Sequence, residues 1–219
     1  MTTPPPGRTP APASASAPGA PSAPGGGESD ALHARAMDDL RYIRRTMEGA
    51  ASFTALSGWA GAIVGLTALP AAYLAQQAAT HRAWMRIWLA EAVLGALIGV
   101  GMTVRKARLA RQPLTGRPGR KFTLTFVTPL AAGAILTIPL YYGGQQALLP
   151  GMWLLLYGTA FATAGAFSVR AVPVMGLSFM VVGAAALAAP AAWGNLLMAV
   201  GFGALHIVYG ALIARKHGG

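Results

Sequence analysis

Six apolar runs, each close to 20 residues long, follow one another along most of the chain. An α-helix needs about 20 residues to cross about 30 Å of hydrocarbon, where only helices and closed barrels satisfy their own backbone hydrogen bonds. The chain is 54% hydrophobic and 11% charged, whereas soluble domains carry roughly 25% charged residues. We therefore predict an all-α fold, a polytopic transmembrane helix bundle with six spans at about 52–75, 84–104, 122–142, 149–168, 171–190 and 195–214.

The loop between the second and third spans is strongly basic and contains no acidic residue. Lys and Arg beside short loops are retained in the cytoplasm, and this bias orients the whole bundle. With this loop inside, both termini are cytoplasmic, and Arg82 is the only basic residue of the outer loops. We expect the cations to contact anionic lipid headgroups. The residues concerned are Arg105, Lys106, Arg108, Arg111, Arg117, Arg120 and Lys121, with Arg170 between spans four and five.

Two segments of different character precede the first span. Residues 1–30 are rich in Pro, Ala, Gly and Ser and have little apolar surface to bury, which predicts a disordered tail. In residues 31–50 apolar residues recur at helical spacing, which predicts an amphipathic juxtamembrane helix at the cytoplasmic interface. Its apolar stripe suits either the lipid bilayer or a protein partner at the cytoplasmic face. The six-helix domain occupies 51–214, and 215–219 form a short basic tail.

Small residues at regular spacing predict how the helices pack. Glycines let helix backbones approach each other in lipid, where no hydrophobic effect drives helix association. Glycines seven residues apart share one helix face, and so do those of a GxxxG pair. The seven-residue pairs are Gly158/Gly165, Gly176/Gly183 and Gly203/Gly210, and the GxxxG pairs are Gly61/Gly65 and Gly95/Gly99.

Ionisable side chains are rare inside the predicted spans. Glu91 on span two is the only acid there, and His206 on span six is the only histidine. Such groups are costly in hydrocarbon, so Glu91 must be protonated, paired or facing water, and both residues are candidate sites. Counting ~1.5 Å per residue separates the two by about 10 Å in depth, which disfavours a direct pair. Thr67 and Thr137 match the depth of Glu91, and Ser178 matches that of His206.

The same polar residues support two interpretations. Either they are neutral packing groups, or they line a pathway for protons or a solute.

The sequence contains no recognisable catalytic constellation. It has no cysteine, which excludes disulfides, thiol nucleophiles and Fe–S clusters. A single intramembrane histidine cannot supply a bis-histidine haem site. Six spans with Ser178 and His206 at one depth resemble the rhomboid intramembrane proteases, but the Gly-x-Ser-Gly motif of those enzymes is missing from span four. We therefore expect a protein that is not an enzyme, with no cofactor, no metal and no nucleic-acid partner.

Several stretches resemble a group of uncharacterised bacterial six-span integral membrane proteins. The stretches include GRKFTLTFVTP, LLPGMWLLLYG and GFGALHIVYGALIARKHGG, and the resemblance covers about residues 35–219. It implies the same topology in a bacterial plasma (inner) membrane. Members of this group are often encoded beside a small winged-helix regulator, which implies a regulatory or stress-linked setting. The group has no established activity, so the resemblance assigns no role to any residue.

Two functional hypotheses follow from these patterns. The first is a non-enzymatic integral membrane protein with a regulatory or assembly role that it exerts through a partner. The second is a small, proton-linked transporter or channel that uses Glu91 and His206. Because six spans are few for a monomeric transporter, the second hypothesis also predicts a homo-oligomer.

Overall fold

The computed structural model of this 219-residue chain describes residues 32–43, 56–110 and 116–217. Within these ranges 89% of the residues are helical and none lies in a strand. The chain divides into two compact units, Met1–Arg45 and Thr46–Gly219. The predicted disordered tail, residues 31 and 44–50 of the predicted amphipathic helix, and Arg111 lie outside the described residues.

In the first unit, residues 32–43 form helix α1. Arg41 donates a hydrogen bond to Asp38 one turn earlier, with 3.0 Å between the two side chains. The apolar residues of the predicted stripe are open to the surroundings, since Leu32, Leu40 and Ile43 are all more than half exposed. Among the described residues of this first unit, the helix therefore presents exposed apolar side chains.

The second unit contains six helices that are long and apolar enough to cross a membrane, and this part of the prediction is confirmed. The six candidate spans are Gly58–Gln76, His81–Leu109, Arg117–Tyr142, Gln146–Gly165, Ala171–Ala188 and Ala191–Lys216. We name the α-helical segments α2 (Gly58–Gln76), α3 (His81–Leu109), α4 (Arg117–Tyr142), α5 (Leu149–Gly165), α6 (Ala171–Ala188), α7 (Gly194–Met198) and α8 (His206–His217).

Several helix ends differ from the predicted spans for identifiable reasons. Helix α2 begins at Gly58 instead of 52, because the Ser57 hydroxyl accepts a hydrogen bond from the Ala60 N–H and caps the helix. Helix α3 continues to Leu109, beyond the predicted end at 104. Hydropathy reports only the hydrocarbon-crossing part of a helix, and Lys106 and Arg108 extend α3 past that part.

Helices α5 and α6 form a tight antiparallel hairpin. A short turn joins Gly165 to Ala171, and the two backbones touch where Gly158 faces Gly176. A methyl group on Gly176 would lie 2.6 Å from the Gly158 carbonyl oxygen and would overlap the backbone of Ala162. The predicted glycine face therefore is the contact surface of this hairpin.

Helix α2 crosses the last span in the same way. Gly58 lies against Gly210 and the backbone of Ala214, while Gly65 lies against the carbonyl oxygen of Gly203. The order of these contacts reverses along the two helices, so α2 and the last span run antiparallel. In both the α5–α6 hairpin and the α2–α8 pair, a Cβ added to a contact glycine would lie within 3 Å of backbone atoms of the facing helix.

Helices α3 and α4 occupy the flanks, where α3 packs on α2 and α4 packs on α5. A Cβ added to Gly95 of α3 would contact the side chain of Val64, but a Cβ added to Gly99 would meet no atom of another helix within 4 Å. The predicted GxxxG contact surface at Gly95/Gly99 is therefore wrong in its second half. The motif places both glycines on one face, but α2 lies opposite only the first of them.

The last span changes its winding midway, which hydropathy did not predict. Residues Ala199–Leu205 form a π-helical segment between α7 and α8. The segment contains Gly201 and Gly203, which pack against Leu154 and Leu69 respectively. π segments inside helices are rare and are frequently found at functional sites.

The contact between α5 and α6 gives a direct test of this packing. We expect Gly176→Ala to lower the free energy of unfolding by ~1–3 kcal/mol, because the added methyl group overlaps the backbone of α5. In a thermal unfolding experiment in mild detergent, this loss lowers Tm by ~5 °C. Gly101→Ala on α3 is the matched control, since nothing lies within 4 Å of Gly101. Equal Tm values for the two variants would contradict the close approach.

Candidate functional site

Glu91 is buried in the interface between α3 and α2. Its Oε1 atom lies 2.8 Å from the hydroxyl oxygen of Thr67 on α2, and that hydroxyl lies 2.9 Å from the Val64 carbonyl oxygen. Thr67 is one of the two threonines predicted at the depth of Glu91. No Lys, Arg or His of the described residues forms an ion pair with Glu91.

His206 is also buried, with 3% of its surface exposed, at the point where the π segment ends and α8 begins. Its Nε2 atom is 2.8 Å from the hydroxyl oxygen of Tyr157 on α5. Its Nδ1 atom is buried and forms no well-aligned hydrogen bond, although backbone groups of Phe202 and Gly201 lie close enough to interact with the imidazole. A buried polar nitrogen that is poorly hydrogen-bonded is costly, and such groups in native proteins often mark strain or a functional role.

Aromatic rings surround this histidine. The ring centroids of Tyr157, Phe179 and Phe202 lie 5.4, 5.1 and 6.2 Å from that of His206. Phe161 contacts the same group edge-on. These rings come from α5, α6 and the π segment, so the histidine lies in the aromatic centre of the bundle.

The two other sequence-predicted residues have different partners from those expected. Thr137 accepts a hydrogen bond from the Trp153 indole N–H at 2.8 Å and does not bond to Glu91. Ser178 lies 2.8 Å from the Tyr209 hydroxyl and does not bond to His206. A match in depth does not fix rotation about the helix axis, which decides the neighbour that a side chain faces.

Glu91 and His206 do not form a pair. The carboxyl group contacts Thr67 at the α2–α3 interface, whereas the imidazole contacts Tyr157 in the aromatic centre. The structure therefore contains two separate polar sites, as the difference in depth predicted.

Asn195 at the start of α7 is a polar junction that sequence analysis missed. Its Oδ1 atom accepts hydrogen bonds from the indole N–H groups of Trp84 and Trp88, at 3.3 and 3.0 Å. Its Nδ2 atom donates to the Ala72 carbonyl oxygen at 2.6 Å. One side chain thus joins α2, α3 and α7. The available signal was that Asn195 is the only asparagine of the chain.

The predicted basic residues gather at one end of the bundle. At the end of α3, Lys106 donates a hydrogen bond to the Leu56 carbonyl oxygen at 3.1 Å, next to the start of α2. At the start of α4, the Lys121 ammonium group lies 5.6 Å from the ring centre of Phe167, in the α5–α6 turn. Five further side chains of the predicted set are exposed: Arg105, Arg108, Arg117, Arg120 and Arg170.

Within the described ranges, no group of three or more His, Asp or Glu side chains is placed to hold a metal ion. No protein-family model, curated protein or solved structure matches this chain. Its function therefore has to be inferred from its own residues.

The Asn195 junction can be tested by removing its amide. We expect Asn195→Leu to destabilise the bundle by ~2 kcal/mol, because three interhelical hydrogen bonds are lost at about 0.6 kcal/mol each. Thermal unfolding in mild detergent measures the change. Gln77→Leu is the control, since the Gln77 amide is exposed and makes one long bond of 3.5 Å within its own helix. An unchanged Tm for Asn195→Leu would show that the junction adds no stability.

Proposed function

We propose that this multi-pass membrane protein has no catalytic activity and acts in a regulatory or assembly role through a protein partner. The observation that carries the proposal is the exposed apolar stripe of helix α1, formed by Leu32, Leu40 and Ile43. Apolar residues at helical spacing are the anchors by which an amphipathic helix binds in a groove of another protein.

The charges of α1 favour a protein groove over the membrane surface as the binding site of this stripe. Helices that lie on anionic membranes carry an excess of Lys and Arg on the polar face. Over the whole predicted helix, residues 31–50, four arginines stand against three acidic residues, so the net charge is only +1. A helix with so little net charge gains little from anionic headgroups, so we assign the stripe to a partner with an apolar groove.

The polar groups of the spans support a structural role for the bundle. Thr137, Ser178 and Asn195 each hydrogen-bond across a helix interface. These bonds hold neighbouring helices together. They also engage the polar atoms of these three side chains in hydrogen bonds within the protein.

We further propose that the basic end of the bundle faces the cytoplasm of a bacterial cell, with both chain termini on that side. Between residues 56 and 217 the sequence has one acid, Glu91, so no carboxylate of this stretch neutralises the cations at the basic end. Anionic lipid headgroups of the inner leaflet are suited to supply the missing negative charge. Helix α1 would then meet its partner in the cytoplasm.

The partner proposal is tested by placing a charge on the stripe. We expect Leu40→Glu to reduce partner recovery about tenfold or more, because truncating a central anchor costs ~2 kcal/mol. The tagged full-length protein is purified from its native membrane in mild detergent, and co-purifying proteins are quantified by mass spectrometry. Ala34→Glu adds the same charge on another face of α1 and should leave recovery unchanged. Equal recovery of every co-purifying protein with both variants would contradict the proposal.

A second function, proton-linked transport by a homo-oligomer, is favoured by one observation. The imidazole of His206 is buried in the aromatic centre with no well-aligned hydrogen bond at Nδ1, and a histidine side chain can hold or release a proton. In this function Glu91 would hold the other transferable proton.

Transport predicts that the purified protein moves protons in liposomes under an imposed pH gradient. Glu91→Gln should reduce this flux at least tenfold, because the amide cannot carry the proton. Gln77→Leu, outside both polar sites, should conduct like the wild type. If the wild-type protein gives no more flux than empty liposomes under any gradient, the transport hypothesis is wrong.

A further inference from the structure

We propose that Glu91 is a protonated carboxylic acid that donates its O–H to the Thr67 hydroxyl, which makes it a proton-binding site embedded in the membrane. As a neutral acid in an apolar setting, it is also a site of covalent modification by hydrophobic carbodiimides. The proposal concerns the resting state of Glu91, so it holds whichever of the two functions is right.

The Thr67 hydroxyl has one hydrogen but two oxygen neighbours. Thr67 Oγ1 lies within hydrogen-bond distance of two oxygens, the Val64 carbonyl at 2.9 Å and Glu91 Oε1 at 2.8 Å. A hydroxyl has one hydrogen to donate, and a carbonyl or an ionised carboxylate has none. Both contacts can be full hydrogen bonds only if Thr67 donates to Val64 and Glu91 supplies the second hydrogen.

Another interface of the same bundle shows this arrangement with an unambiguous donor. Trp153 donates its indole N–H to Thr137, whose hydroxyl lies 2.7 Å from the Gly133 carbonyl oxygen of its own helix. An indole N–H only donates, so Thr137 must accept from it and donate to its own helix. Glu91 occupies, relative to Thr67, the position that Trp153 occupies relative to Thr137.

The third case involves two hydroxyl groups. Ser178 Oγ lies 3.0 Å from the Val174 carbonyl oxygen and 2.8 Å from the Tyr209 hydroxyl. Ser178 has one hydrogen, so both bonds form when Tyr209 donates to Ser178 and Ser178 donates to Val174. With the donors assigned to Glu91 and Tyr209, all three interfaces share one pattern, in which a hydroxyl donates back to its own helix and accepts from a neighbouring helix.

The alternative, an ionised Glu91, is poorly supported by its surroundings. Thr67 would have to turn its only hydrogen away from Val64, which would leave two oxygens 2.9 Å apart with no hydrogen between them. No described cation forms an ion pair with Glu91, and helix α2, which packs against it, contains no Asp, Glu, Lys, Arg or His. A buried charge without a counter-ion costs far more than a neutral acid with a hydrogen-bond partner.

The chemistry of carbodiimides makes the protonated state measurable. The carboxyl O–H adds across one C=N bond of the reagent: the carboxyl oxygen bonds to the central carbon, and the proton moves to a nitrogen. The acyl group then migrates from oxygen to nitrogen and gives a stable N-acylurea. Nothing leaves in either step, so the protein gains the full mass of one reagent molecule.

The experiment treats the full-length protein in phospholipid nanodiscs at pH 7 with dicyclohexylcarbodiimide and maps the adduct by mass spectrometry. We expect one adduct at Glu91, which falls to background in Glu91→Gln. The same nanodiscs are examined by infrared spectroscopy, where Glu91→Gln should remove the carbonyl stretch of a protonated acid. Thr67→Val should shift that stretch to higher frequency because the acid loses its acceptor, while Thr137→Val should leave it in place.

The two measurements separate the outcomes. An adduct at Glu91 together with an acid carbonyl band supports the proposal. An unlabelled Glu91, with Glu91→Gln removing a carboxylate band and no acid band, overturns it.

Discussion

Polar side chains buried among the spans must find their hydrogen-bond partners inside the protein, because hydrocarbon offers none. The bundle meets this constraint with hydroxyl groups that bond to their own helix on one side and to a neighbouring helix on the other. Thr67, Thr137 and Ser178 join α2 to α3, α4 to α5, and α6 to α8 in this way. At the α4–α5 interface the direction of this bond is fixed, because the indole N–H of Trp153 can only donate.

Glycine contacts and polar contacts act on different parts of this arrangement. Glycines bring backbones together in the two central pairs, α5–α6 and α2–α8. The flanking helices α3 and α4 have few such contacts, and they are held by side chains such as Trp88 and Trp153. Close packing thus forms the centre of the bundle, and hydrogen bonds attach its two outer helices.

The sequence correctly predicted features that depend on the spacing of residues along a single helix. Its predictions were wrong where they depended on the position of a neighbouring helix. Seven-residue spacing identified the face that contains Gly176, because both partners of that contact lie on one tight hairpin. The GxxxG pattern misled at Gly99, since a motif cannot show whether a helix lies opposite it. Membrane depth correctly predicted Thr67 as a partner of Glu91 but wrongly matched Ser178 with His206. The π segment has no signal in hydropathy, because its composition is that of an ordinary apolar helix.

The π segment also sets how the two halves of the last span are turned relative to each other. A regular α-helix turns ~100° per residue, so the eleven steps from Asn195 to His206 would bring the two side chains to within ~20° of one face. A π hydrogen bond spans one residue more than an α hydrogen bond, so the π segment between them changes that angle. Asn195 accordingly bonds to α2 and α3, whereas His206 bonds to Tyr157 of α5. The angular phase of the last span therefore depends on the number of residues between these two side chains, and the loss of one residue there would rotate one of them away from its partners.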